Sequence, residues 1–496
     1  MGNLKLFEQA RLHGSRLAIR QGTSDITYAD LLKRSERIAS ALLDAENDLN
    51  ESRIALLCPS AQEFAISQWG IWRAGGVCVP MSNSATASEL EYAISNSRPI
   101  RVLAQREYFE KLEPVCKKLG VAILVLDEAI SEVVKPLPSV TSNRRAMILY
   151  TSGTTSKPKG VVTTHRNIES QICSLVEAWG WKSVDRIPLF LPLHHIHGIV
   201  NVLSCALWTG AQVDAFDSFD MPAVLDRIAN KDYSLFMAVP TIYVKLIQAL
   251  EGAEHDQQQA WIDGFRSLRL MVSGSAALPA SVHEKWTTIT GQVLLERYGM
   301  TEIGMALSNP LNGERRPGAV GIPLPNVEIR LKSEAGSVLK NENEPGEIQV
   351  RGPAIFQEYW DRSEATMEAF DEGWFRTGDM AVLEKGYYRI MGRLSVDILK
   401  SGGYKLSALE IEEVLMQHPQ ILECAVVGIP DDTWGDAVAA AVVCRDDQSM
   451  DIEALRDWCR QRMSPYKIPK LIKLVADLPR NAMGKIVKPA VKTLFT

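Results

Sequence analysis

The sequence has no Cys-x-x-Cys pair, no internal repeat, no low-complexity tract and no excess of positive charge. Each absence excludes something. Eight cysteines are scattered at positions 58, 78, 116, 173, 205, 424, 444 and 459, mostly in apolar runs, which argues against a disulfide framework or a zinc site and for reduced core thiols. With 54 Lys and Arg against 60 Asp and Glu, the net charge is −6, the wrong sign for a protein that grips a nucleic-acid backbone. The start, Met1-Gly-Asn-Leu-Lys-Leu-Phe-Glu, has neither a signal-peptide pattern nor a transit segment, and Leu6 stands where a myristoylation signal needs Ser or Thr. The longest apolar stretch, Gly198 to Val213, is broken by Asn201, Ser204 and Thr209, so a buried helix is expected there and not a membrane span. These features predict a soluble, cytoplasmic protein without nucleic-acid or membrane partners, a monomer or weak homodimer.

What is present is ordinary globular composition, 46% hydrophobic and 23% charged, over 496 residues, a length that implies roughly two to four domains. Thr27-Tyr28-Ala29-Asp30 has the form of a helix-opening capping box, followed by apolar residues at helical spacing. Short apolar runs at 54–57, 76–80, 102–104, 122–126, 189–191, 235–239 and 270–272 then alternate with helical stretches. That alternation predicts an α/β fold of doubly wound, mostly parallel sheets, with ligands at the carboxyl ends of the strands. From about Val327 the turns become Gly-rich and the strands shorter, as in a β-rich subdomain. A second change near Gly392-Arg393 opens a compact α+β tail. The expected division is a large N-terminal domain over 1–392, its β-rich part from about 327 to 392, and a small mobile C-terminal domain over 393–496.

The most telling stretch is Tyr150-Thr-Ser-Gly-Thr-Thr-Ser-Lys-Pro-Lys-Gly160, between two apolar runs. Gly153 and Gly160 free the backbone to bend and present N–H groups to an anion. Thr151, Ser152, Thr154, Thr155 and Ser156 bring hydroxyls, and Lys157 and Lys159 bring charge suited to a polyphosphate. It is not a Walker loop, because Gly160 is followed by Val161 and not by Lys-Ser/Thr.

Together with Tyr298-Gly-Met-Thr-Glu302, Trp374-Phe-Arg-Thr-Gly-Asp379, Gly392-Arg393 and Pro479-Arg-Asn-Ala-Met-Gly-Lys485, this loop resembles the acyl-adenylate-forming superfamily. The strings follow the family's order over nearly the whole chain. The resemblance implies two half-reactions with ATP, Mg²⁺ and CoA: a carboxylate attacks the α-phosphorus, and a thiol then displaces AMP. It implies that the loop holds the β- and γ-phosphates and that Glu302, with Thr154, meets Mg²⁺. Thr301 would reach the α-phosphate. Tyr298 and Gly299 would lie by the adenine, beside the Gly274-Ser275-Ala276 backbone, with Asp379 and Arg393 on the ribose. Lys485 would bridge the carboxylate and α-phosphate oxygens, and the strand Ser401-Gly402-Gly403-Tyr404 would line the pantetheine tunnel after the tail rotates. The resemblance leaves two positions for the pivot, Ser395 and Asp397.

Two cations, Lys245 and Arg297, fall where such enzymes have their acyl pocket. An unpaired buried cation costs several kcal/mol, about what a second carboxylate on the substrate would remove. The strings Leu191-Pro-Leu-His-His-Ile-His-Gly198, Glu296 to Ala306 and Gly402 to Ala408 resemble the malonyl-CoA synthetase branch of the family. That resemblance implies Lys245 and Arg297 on the distal carboxylate of malonate, Ser273 adding a hydroxyl and His195 gating the pocket. Methylmalonate would be a further substrate. The rival readings are a ligase for medium-chain or aryl acids, with Arg297 paired to a protein carboxylate such as Glu296, and transfer to a carrier-protein thiol. The His194-His195-Ile196-His197 spacing fits no standard zinc pattern.

Overall fold

The computed structural model describes residues 4–130, 133–151, 158–401, 404–431, 434–445, 450–480 and 486–495. The fold is mixed α/β, with parallel sheets, a β-rich region and a small C-terminal α+β part. Thr27 caps the helix Tyr28–Leu43 with the predicted box, its hydroxyl accepting from the Asp30 amide while the Asp30 carboxylate accepts from the Thr27 amide.

The runs at 54–57, 76–80, 102–104 and 122–126 form parallel strands of a seven-stranded sheet, with Lys159–Thr164 and Glu358–Tyr359 antiparallel at one edge. The helix Ala61–Arg73 is buried along nearly its whole length, and Trp72 Nε1 donates to the Ala146 carbonyl at 2.7 Å. A second sheet runs in the order Leu235–Ala238, Leu270–Ser273, Leu295–Met300, Gly304–Ser308, Ile322–Pro323, its first three strands parallel. The carboxyl ends of Leu235–Ala238 and Leu270–Ser273 and the far end of Leu295–Met300 present the turns that carry the predicted site. A four-stranded sheet built from the N-terminal hairpin and the strands Arg186–Leu189 and Gln212–Ala215 packs beside them.

Apart from Glu358–Tyr359, the strands within 328–393 form a six-stranded sheet, the β-rich part expected from the change of texture. Beyond it, Ile398–Ser401, Tyr404–Ser407, Ile421–Asp431, Gly435–Cys444 and Leu471–Leu474 make a five-stranded sheet with its own core around Leu399, Ile411, Val426, Val438 and Leu455. Six cysteines are buried, Cys444 is partly exposed and Cys173 exposed, all as free thiols. No helix among the described residues is long and apolar enough to cross a membrane.

The apolar stretch 198–213 departs from the single helix expected of it. It starts with π-helical turns over His197–Ser204, continues as an α-helix over Cys205–Thr209, stops at Gly210 (φ +83°) and ends in the strand Gln212–Ala215. Apolar continuity cannot separate a buried helix from a buried strand, and the left-handed glycine makes the break. The strand expected at 189–191 lies at Arg186–Leu189, so residues 190–191 leave the sheet toward the histidine cluster.

Candidate active site

The loop expected to hold phosphates joins the antiparallel strands Arg145–Thr151 and Lys159–Thr164. Ser152, Gly153, Thr154, Thr155 and Lys157 lie outside the described residues. Thr151 pairs with Lys159 at the base of the hairpin, its hydroxyl 3.5 Å from the Lys159 carbonyl. Gly160 differs from expectation. It sits within the ladder opposite Tyr150, and a Cβ there would come within 2.9 Å of Ile148 Cγ2 and 3.2 Å of Trp360 Cβ. It is glycine for close packing against Ile148 and Trp360, not for a bend.

Lys159 holds its ammonium 4.7 Å from the ring centroid of Tyr359. The Tyr359 hydroxyl donates to Glu302 Oε1 at 3.0 Å, which ties the hairpin to the turn Thr301–Ile303. Glu302 is buried, and that burial raises its carboxyl pKa. Thr301 beside it is half-buried. Gly299 lies at a register shift in the strand, where a Cβ would stand 2.1 Å from the Gly304 carbonyl oxygen. Nothing in the sequence marked Tyr359, because it belongs to no motif and reaches Glu302 only through the fold.

Asp379 and Arg393 pair across adjacent strands. Arg393 Nε donates to Asp379 Oδ1 at 3.0 Å, and the Tyr298 hydroxyl donates to Oδ2 at 2.6 Å. The three predicted nucleoside residues are therefore one hydrogen-bonded unit, with Tyr298 held at the carboxylate by its hydroxyl. Ala276 is exposed, and Ser275 holds a left-handed backbone (φ +72°), an uncommon state for a non-glycine residue.

Arg297 is 5% exposed. Its Nη2 donates to Ser275 Oγ at 3.1 Å, and Ser275 Oγ lies 3.1 Å from His197 Nδ1. No carboxylate forms an ion pair with it among the described residues, and burial alone pulls its pKa down to about 10. Glu296 is not its partner. That carboxylate accepts from the Gly318 amide at 3.0 Å, and burial raises its pKa to about 8. Alternation along the strand turns the two side chains to opposite faces. Gly274 lies flat against the guanidinium, for a Cβ there would be 2.4 Å from Arg297 Nε. Ser273 is 1% exposed, and its hydroxyl has no partner among the described residues. His195 is half-buried, its ring 4.2 Å from that of His194, and burial lowers the His194 pKa to about 4. No group of three metal-ligating side chains occurs among the described residues.

Lys245 corrects the expectation of two buried cations. Ile242, Tyr243, Leu246, Ile247 and Leu250 form the buried face of the helix Pro240–Gly252. Lys245 falls on the opposite face with Thr241, Val244 and Gln248, exposed to solvent. Only one of the two cations is buried.

The model of the AMP-binding enzymes matches residues 6–360, and that of the AMP-binding enzyme C-terminal domain matches 410–485. The chain belongs to the AMP-binding enzymes. Among curated members, the mitochondrial malonate–CoA ligase ACSF3 of Bos taurus is 44% identical, covering 97% of this chain and 89% of the relative. The malonate–CoA ligase of Arabidopsis thaliana is 37% identical, covering 98% and 87%. Among solved structures, ATP-bound MatB from Rhodopseudomonas palustris superposes with a TM-score of 0.91 at 32% identity, covering 99% of each chain. As an AMP-binding enzyme the chain is an AMP-forming ligase.

In the C-terminal part of this AMP-binding enzyme, Ser401 is buried and pairs with Gly435 and Tyr404. Tyr404 is exposed and stacks on Tyr466, with ring centroids 4.4 Å apart. Gly402, Gly403 and Lys485 lie outside the described residues. Lys488, which no motif marked, bridges Asp397 at 2.6 Å and Glu412 at 2.7 Å in a largely buried triad.

Proposed function

We propose that this AMP-binding enzyme joins malonate to CoA at the expense of ATP, through malonyl-AMP. The observation that carries the substrate is Arg297: a buried guanidinium bonded only to a neutral hydroxyl, with no acidic partner among the described residues. A monocarboxylic acid would leave that charge stranded. Malonate supplies the missing carboxylate, a charge-assisted partner whose geometry a guanidinium fork matches. The names of the bovine and Arabidopsis relatives agree. Ser273 adds a hydroxyl to the same carboxylate and His195 lines the entrance, whereas Lys245, exposed on its helix, is not among the buried groups. Methylmalonate differs by one methyl, worth about 1–3 kcal/mol, and is expected as a slower substrate.

In the first half-reaction one malonate carboxylate oxygen bonds to the α-phosphorus, the bond to the β-phosphate bridge breaks, and pyrophosphate leaves. The residues of 151–160 would grip the β- and γ-phosphates, Thr301 and Lys485 the α-phosphate, and Asp379 the ribose. A hard divalent cation fits Glu302, a carboxylate whose pKa is raised by burial although the Tyr359 hydroxyl and the Arg393 and Lys159 charges pull it the other way. Glu302 and Thr154 would hold Mg²⁺, which supplies charge neutralisation on the phosphates. In the second half-reaction the CoA sulfur bonds to the acyl carbon, the carbon–oxygen bond to AMP breaks, and the thiol proton passes to solvent. Ser401 to Tyr404 would line the path of the pantetheine.

We place the boundary of the moving C-terminal part at 392/393. Asp397 accepts from the Arg393 amide at 2.9 Å and is tied to Lys488, while Ser395 is exposed. This supports a pivot at Ser395, ahead of the anchored Asp397. Eight free thiols suit a reducing compartment, cytoplasm or mitochondrial matrix.

Arg297→Ala tests the reading. It should lower kcat/KM for malonate by about 100-fold or more, the order expected on removing one partner of a buried charge pair. Near-normal malonate kinetics would contradict it.

A further inference from the structure

His197 is 5% exposed and sits at the start of π-helical turns, a rare geometry often found at functional sites. Burial is the main cause of its strongly lowered pKa, with the Arg297 charge adding to it, so the imidazole is neutral. A neutral imidazole carries one proton, and the hydrogen bonds decide where. Arg297 Nη2 has only protons to give, so Ser275 Oγ accepts from it. We assign the Ser275 proton to the hydrogen bond with His197 Nδ1, 3.1 Å away, the tautomer that puts the imidazole proton on Nε2.

That Nε2 is buried and has no partner among the described residues, and the same holds for Arg297 Nε and Ser273 Oγ. Each such atom costs about 1–3 kcal/mol if it stays unsatisfied. Three of them occur in one connected unit, His197–Ser275–Arg297 with the adjoining Ser273. All three have protons to give, which is the complement of a carboxylate. Ser275 is held for this task in its left-handed conformation, and Gly274 gives the guanidinium room to lie flat on the backbone.

We propose that His197 is a specificity-determining residue for the distal carboxylate of the acid. Through Ser275 it fixes the Arg297 guanidinium, and its Nε2–H donates to the same carboxylate. This rests on the malonate reading above. It adds a neutral donor that the charge argument alone does not supply, and it makes discrimination against monocarboxylic acids a property of three side chains.

The test compares malonate with propionate, which has a methyl group in place of the distal carboxylate, by AMP release with ATP and CoA. His197→Ala should lower malonate kcat/KM by about 10- to 100-fold, mainly through KM, the range expected for one hydrogen bond to a charged group. The KM for ATP and the propionate rate should stay within about threefold, so the malonate-to-propionate ratio collapses. His197→Gln, which can place an N–H near the Nε2 position, should restore most of the ratio. His197→Asn, too short to do so, should not, and it carries the test if the alanine variant does not fold. A malonate-to-propionate ratio that survives in a folded His197→Ala or His197→Asn enzyme would overturn the proposal, as would equal losses on both acids. A wild-type enzyme that prefers propionate would instead overturn the malonate reading itself, so the two failures are distinguishable.

Discussion

Glu296 and Arg297 are neighbours in the chain whose side chains meet opposite environments. Both are buried, yet Glu296 has an amide to accept from and Arg297 has only a serine hydroxyl to donate to. Glu296 titrates high, raised from 4.5 to about 8 by burial. The folded state therefore holds a proton that the unfolded chain has released. Its contribution to stability is complete below about pH 4.5 and is lost as the pH rises toward 8. Glu296→Gln keeps the acceptor for the Gly318 amide and removes the titration. Its melting temperature should exceed that of the wild type by several degrees at pH 8, and the gap should shrink toward pH 5. A gap independent of pH in calorimetric melts would contradict the assignment. At this scale the sequence was informative about Arg297, because a cation beside an adenylate motif is visible in one dimension. It was silent about His197 and Tyr359, whose roles come from partners 78 and 57 positions away.

The element that shapes the surroundings of Arg297, the proposed acid site, is the turn after the strand Leu270–Ser273, where Gly274 lies against the guanidinium and Ser275 bends back to bond it. Gly274→Ala would put a methyl 2.4 Å from Arg297 Nε, and the guanidinium would have to move. Displacements of this kind cost about 1–3 kcal/mol, so malonate affinity should fall by about 10-fold or more in titration calorimetry. Unchanged affinity would mean the guanidinium is not held by this turn. Strands and helices were legible wherever periodicity was clear, as at Arg53–Leu57 and Ala61–Arg73. Two elements were not. The apolar run from Gly198 gives no period with which to tell π-helix from strand. Lys245 was assigned by its place beside the pocket, and the helical stripe of Ile242, Leu246 and Leu250 turned it to solvent instead.

Across the whole molecule, five short strings in order were enough to indicate the fold; of these, Tyr298–Glu302 and Gly392-Arg393 fall at the ends of strands and Trp374–Asp379 opens the strand Trp374–Glu384. What ties the C-terminal part together was hidden, since Lys488 meets Asp397 and Glu412 only in three dimensions. Lys488→Met would leave two buried carboxylates facing each other without a cation. Stability should fall by about 3–5 kcal/mol, read as a lower midpoint in urea. A midpoint within error of the wild type would show that the triad is relaxed by solvent. The central claim is that a buried guanidinium selects an acid with a second carboxylate, and the initial rate of AMP release with ATP, Mg²⁺ and free CoA tests it over a panel of malonate, propionate, octanoate and benzoate. Malonate should show a kcat/KM at least about 100-fold above each of the others, the order of a stranded charge partner. Octanoate or benzoate turning over faster than malonate would contradict it.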